Sequence, residues 1–235
     1  MKKGKIVISK NGPYLVSGGL PLGKEISEIG EEGEPERWAK GKQCPAQENY
    51  ALCRCGKSRN KPFCDGTHAA GFNGTETASR EKFAECAERL EGPGVDLEDV
   101  SSLCSRARFC HPRGGTWNLV LDSGNPESKE FAVREACNCP SGRLVACDKK
   151  TGEPIESKYA PSISLIEDPQ AGVSGPIWVK GGVTVESEDG RQYETRNRVT
   201  LCRCGKSSNK PFCDGAHVEA RFNDGDESLV RRKRR

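Results

Sequence analysis

The sequence predicts an α+β protein in which two small β-rich repeats flank a mixed α+β segment. Three observations carry that expectation. A motif of three cysteines and one histidine occurs twice with identical spacing. Each copy follows short β-prone runs framed by Gly and Pro, as strands between turns require. The stretch between the copies has a different, partly helical composition.

The first repeat is assigned to residues 1–75. Its Gly12-Pro13-Tyr14-Leu15-Val16-Ser17-Gly18-Gly19 is echoed by Gly175-Pro176-Ile177-Trp178-Val179-Lys180-Gly181-Gly182 of the second, assigned to residues 159–227. Between them lies residues 76–158. There, 79–90 is rich in Glu, Lys, Arg and Ala and predicts a helix ended by Gly92-Pro93-Gly94. Residues 97–109 and 127–136 predict two further helices, and the apolar run 142–147 predicts a strand. Residues 228–235 form a basic tail, whose last five residues read as a solvated end.

The 235 residues are only 34% hydrophobic and 6% aromatic. That is a thin core for the length, so metal sites are natural contributors to stability. An odd count of 13 cysteines argues against a closed disulfide framework. The charged N-terminus does not resemble a signal peptide, and no apolar run approaches the ~20 residues that span a bilayer. These features predict a soluble protein in a reducing, cytoplasmic setting. A net charge of +3 makes no case for nucleic acid.

The motif runs Cys53-x-Cys55, then Cys64 and His68; its copy is Cys202-x-Cys204, then Cys213 and His217. In extended chain, residues two apart share a side, so each Cys-x-Cys can grip one iron. Residues four apart share a helix face, so each Cys/His pair can grip a second. Four donors divided two and two suit a [2Fe–2S] centre, and a neutral imidazole in place of a thiolate should raise its potential. Asp65 sits where a carboxylate can accept backbone N–H bonds. Gly66 permits close approach of the backbone, and Phe63, after Pro62, can shield the centre from water.

Cys64-Asp65-Gly66-Thr67-His68 and Cys213-Asp214-Gly215-Ala216-His217 resemble the signature of the CDGSH iron–sulfur family, the mitoNEET-like proteins. Ser58/Pro62 and Ser207/Pro211 fit the same pattern. Thr67 and Ala216 depart from its serine, at a position that is not a ligand. The resemblance implies one [2Fe–2S] cluster at each motif. It also implies either a homodimer or, with two motifs in one chain, a monomer built as an internal pseudo-dimer. The competing interpretation is structural zinc, for which Cys₃His is a legitimate set but Cys-x-Cys a short spacing.

Between the repeats, Cys104-x₅-Cys110 and a later Cys139-Pro140-Ser141-Gly142 resemble the divergent single-cluster ferredoxin-like domain over about residues 95–148. Three matched cysteines fit a [3Fe–4S] cluster, or a [4Fe–4S] cluster with a fourth ligand. Cys137 and Cys147 are the first candidates for that fourth place and His111 a lesser one. The alternative is that these cysteines are small buried hydrophobes.

These sites point to electron transfer or cluster transfer. Basic residues crowd both motifs (Arg54, Lys57, Arg59 and Lys61; Arg203, Lys206 and Lys210), so redox or cluster-acceptor partners of acidic character are expected. No nucleotide loop or nucleophile elbow is visible, so no catalytic residue is assigned and an enzyme is not expected. An iron or redox sensor is the alternative, and an iron–sulfur enzyme a more distant one.

Overall fold

The computed structural model describes residues 4–230. The basic tail at 231–235 lies outside the described residues. The first repeat supplies β1 (Lys5–Ile8), β2 (Tyr14–Ser17), β3 (Leu22–Ile29), β4 (Pro35–Gln43) and β5 (Asn49–Leu52). The middle segment supplies α1 (Phe83–Cys86), β6 (Glu88–Leu90), β7 (Val95–Asp99), α2 (Thr116–Leu121), α3 (Pro126–Asn138), β8 (Leu144–Asp148) and β9 (Pro154–Ile155). The second repeat supplies β10 (Ser162–Asp168), β11 (Val173–Lys180), β12 (Thr184–Glu186), β13 (Arg198–Leu201) and α4 (Ala216–Glu219), with α5 (Glu227–Val230) at the end.

The two repeats exchange strands. One sheet has the order β12-β1-β2-β5 and the other β13-β11-β10-β3-β4. In each, a meander from one repeat accepts a parallel strand from the other: β12 beside β1, with Ile6 opposite Val185, and β3 beside β10, with Leu165 opposite Lys24. Alternation drives this pairing. Ile6, Ile8, Tyr14 and Val16 face inward from the first meander, and Ile163, Leu165, Ile177 and Val179 from the second, into one shared core. Burying each such side chain contributes about 1.5–3 kcal/mol, and the core that buries them takes residues from both repeats.

The middle segment has its own sheet, β6-β7-β8-β9, covered by α2 and α3. The predicted helix over 127–136 and strand over 142–147 are present as α3 and β8. The other two predicted helices are corrected. Of 79–90 only one helical turn, α1, forms, and Glu88–Leu90 pairs with β7 instead. Residues 95–99 are strand, because Val95 and Leu97 alternate into the core beside Leu144 and Ala146. Beyond the short turn Ser101–Leu103, Arg106 and Arg108 have left-handed backbone, with φ of 56° and 64°, which no helix accommodates. The helix α2 lacks an apolar stripe long enough to stand out in sequence.

Among the contacts that dock this insert are two anchors. Arg198 of β13, fully buried, donates to the carbonyls of Ala136, Cys137 and Cys139 at 2.6–2.8 Å and to Glu156 at 2.7 Å. A cation there satisfies the orphan carbonyls at the end of α3. Trp38 stacks on Phe109 at 4.3 Å and stands 5.1 Å from Trp178, joining β4, the insert and β11. Among the described residues, no helix is long and apolar enough to cross a membrane.

Candidate iron–sulfur sites

The two ligand loops are built by the same backbone bonds. Cys53 N–H donates to Pro62 O and Cys64 N–H to Ala51 O; Cys202 N–H donates to Pro211 O and Cys213 N–H to Thr200 O, all at 2.8–2.9 Å. Ser58 Oγ and Ser207 Oγ close the loops onto Phe63 O and Phe212 O at 2.7 Å. Asp65 accepts from the N–H groups of Arg59 and Thr67, and Asp214 from those of Ser208 and Ala216, at 2.8–3.0 Å. The Arg59 N–H leads in holding the Asp65 carboxyl well below its usual range. Burial works against Asp214, yet its N–H donors hold it low as well.

The donors of each loop stand in pairs. Cys53 Sγ and Cys55 Sγ are 3.7 Å apart, as are Cys202 Sγ and Cys204 Sγ. Cys64 Sγ lies 3.3 Å from His68 Nδ1, and Cys213 Sγ 3.5 Å from His217 Nδ1. Two sulfurs on one tetrahedral metal stand about 3.8 Å apart for bonds of about 2.3 Å, so each Cys-x-Cys pair matches the edge of one coordination sphere. Among the described residues no three such side chains converge on a single-ion point, and two pairs per loop fit a two-iron centre. The route to the second pair differs from the helix-face expectation. Cys64 and Cys213 precede the helical turn, and Gly66 and Gly215, left-handed at φ 88° and 85°, fold the chain back to bring the histidine over.

The loops also meet each other. A Cβ on Gly56 would stand 2.5 Å from Cys204 O, and one on Gly205 the same distance from Cys55 O. Between them opens a cleft of about 490 Å³ lined by Lys57, Lys206, Phe72 and Phe222. Tyr14 of the first repeat donates to Cys202 O at 2.8 Å, so the second site is assembled from both halves of the chain.

Their surroundings differ. Cys64 and His68 are half-buried, whereas Cys213 and His217 are 2% and 4% exposed. Burial, with Arg203 nearby, lowers the His217 pKa to about 4, which keeps its imidazole neutral, as a metal ligand must be. Burial also pushes the Cys213 thiol well up. Sharing of a proton between sulfurs holds Cys202 down to about 6 and pushes Cys204 up. The partners of the matched arginines differ too. Arg54 and Arg203 are buried within the loops, where Arg54 binds the carbonyls of Ser9 and Gly74, while Arg203 pairs with Glu167 at 2.8 Å and with Asp224.

Cys104 and Cys139 lie close enough to Cys110 for their charges to act on it. Burial, then the charges of Cys139 and Cys104, push the Cys110 thiol up to about 12. Arg143 is held by Asp99 at 2.6 Å, and Cys104 lies near enough to help keep its guanidinium charged. Cys137 aims its thiol at Ile155 O, 3.4 Å away. Cys147 alternates with Ala146, so it points away from the core that Cys110 and Cys139 line, toward Asp96 and Arg89. His111 Nδ1 stands 3.6 Å from Glu34. The Cys147 side chain thus lies on the opposite face of β8 from the trio. Sequence reading missed Arg143 and Arg198 as supports of this site; both lie far along the chain from the groups they hold, and no local pattern marks them.

The model of the family described as iron-binding zinc finger, CDGSH type, matches residues 11–69 and 174–218. That of the divergent 4Fe-4S mono-cluster family matches residues 90–149. The chain is an iron–sulfur protein with two CDGSH-type regions around a divergent 4Fe-4S region. Both CDGSH-type matches take in the Cys-x-Cys pair, the third cysteine and the histidine of their loop. Neither the curated proteins nor the solved structures compared with the chain give a match.

Proposed function

We propose that the chain holds two [2Fe–2S] clusters, one on Cys53, Cys55, Cys64 and His68 and one on Cys202, Cys204, Cys213 and His217. A third cluster, of [3Fe–4S] or [4Fe–4S] type, is held by Cys104, Cys110 and Cys139, and the protein works in electron or cluster transfer. The observation that carries this reading is the division of each loop's donors into two metal-gripping pairs, with the cysteine trio set against the second loop. Asn209 of that loop donates to Ser102 O at 3.0 Å, two residues from Cys104. Cys104 is also close enough for its charge to act on Cys213.

Bound clusters supply one-electron redox chemistry. The chain's own residues orient and shield them. The Asp65 and Asp214 turns fix the Cys/His pairs, Phe63 and Phe212 limit water at the loops, and Gly56 and Gly205 let the loops touch. Cytoplasmic residence and acidic redox or cluster-accepting partners belong to the same reading. The test is an ultraviolet–visible spectrum of anaerobically purified protein, with iron and acid-labile sulfide counted. About four irons per chain support the two [2Fe–2S] centres alone, and about seven or eight support the third cluster as well. A colourless zinc protein without sulfide overturns the proposal.

A further inference from the structure

The two ligand loops have the same sequence plan but different neighbours, and the insert accounts for the difference. Residues 102–108 lie across the second loop. Asn209 bonds Ser102 O, Arg106 pairs with Glu219 at 2.6 Å, and Arg108 ties the strap to Asp168 of β10 at 2.8 Å. A Cβ on Gly215 would stand 2.5 Å from Arg106 Cγ, whereas one on Gly66, the matched glycine, would meet nothing within 4 Å. So the second loop shows what seats on this face, and the first loop presents the same face uncovered.

The matched positions also change charge. Ser208 of the covered loop corresponds to Arg59, and Glu219, which receives the strap's arginine, corresponds to Ala70. Both changes make the open face more positive, and Arg59 is exposed with no ion-pair partner among the described residues. A basic strap like the insert's finds Ala70 where Arg106 finds Glu219, and the Asp65 carboxylate is taken up by the N–H groups of Arg59 and Thr67. An acidic surface finds a guanidinium, beside an Asn60 free to repeat the bond that Asn209 makes.

We propose that the face around Arg59, Asn60, Gly66 and Ala70 is the docking surface for an acidic redox protein, while the second loop is reserved for exchange with the insert. This rests on the electron-carrier reading above. In the exchange, one electron leaves the reduced partner, which is oxidised, and enters this chain, which is reduced; no bond or proton is transferred.

The test uses the full iron-loaded chain and a reduced, strongly acidic plant-type [2Fe–2S] ferredoxin as probe. Stopped-flow reduction should slow with rising salt, and Arg59→Glu should lower its second-order rate constant about tenfold at low ionic strength. Arg59→Gln, which adds no carboxylate near Asp65, should give an intermediate fall. Lys150→Glu, the same charge change on a distant turn, should stay within about twofold. Hydrogen-exchange mass spectrometry of the complex should show protection over 57–70 and none over 206–219. An unaltered rate in both Arg59 variants, or protection on the second loop, overturns the docking surface and leaves the carrier reading standing. Protection over 57–70 that Arg59→Glu abolishes, with no electron passing in the native protein, keeps the surface and sinks the carrier reading.

Discussion

The first and second ligand loops share their spacing, their serine clasp and their aspartate turn, yet one faces water and the other lies under the insert. Cys64 and His68 are half-buried; Cys213 and His217 are sealed. The lesson is that a motif of sixteen residues fixes which atoms can grip a metal, while contacts from more than a hundred residues away fix what can reach it.

The sharpest break of this comparison lies behind the loops, at the matched arginines. Removing Arg203 leaves the buried Glu167 and Asp224 carboxylates unpaired, whereas removing Arg54 strands only carbonyls. Arg203→Met should therefore cost about 3–5 kcal/mol and Arg54→Met about 1–3 kcal/mol, measured by urea unfolding of the loaded protein. Equal losses would mean that the two halves are supported alike.

Gly66 and Gly215 provide the next contrast. An alanine at either position pays about 1–2 kcal/mol for its left-handed backbone. At Gly215 the new Cβ must also push Arg106 aside. Gly215→Ala should thus be the more destabilising of the two, and it alone should raise hydrogen exchange across residues 102–108.

The cover over the second loop is as firm as the insert that supplies it, and there pH enters. Burial pushes the Glu135 carboxyl, 4% exposed beside Thr116, from 4.5 up to about 7. The native state then holds a proton that the unfolded chain has released, so stability falls as pH climbs from 4.5 to 7. Glu135→Gln should flatten that decline and, at pH 8, stabilise the insert by about 1 kcal/mol with solvent screening included. Parallel pH curves for the two proteins would show that Glu135 does not set the slope.

The smallest effect on stability belongs to Arg106→Ala. Its ion pair with Glu219 is solvent-exposed and contributes only a few tenths of a kcal/mol. Access should respond more than stability does. Iron removal by a chelator should be biphasic, with the first loop emptying faster, and Arg106→Ala should accelerate the slow phase alone. A single phase in the native protein would erase the distinction between the loops.

Much of this was legible before any coordinates. The duplicate motif announced itself by self-similarity, and Cys104, Cys110 and Cys139 by a ferredoxin-like pattern. The misreadings share a cause. Residues 79–90 have a helix-forming composition, but Glu88–Leu90 finds better partners along β7, so a long-range pairing outcompetes local propensity. Residues 97–109 fail as a helix because Leu97 is needed in a strand and Arg106 and Arg108 are bent into a strap. The strap's target, the exchanged strands β3 and β12, and the hold of Arg198 on α3 all join segments distant in sequence, where no periodicity reports them.

The strand exchange has a consequence for how such a molecule can specialise. In a symmetric pair of identical chains, every substitution arrives twice, so a change that closes one face closes both. Here the two interlocked halves are encoded once each along a single chain, while β3 and β12 still lock them together. An arginine can therefore stand at position 59 and a serine at 208, each answering to one neighbour only. Joining the halves keeps the architecture of a twin and frees each half from having to be its copy.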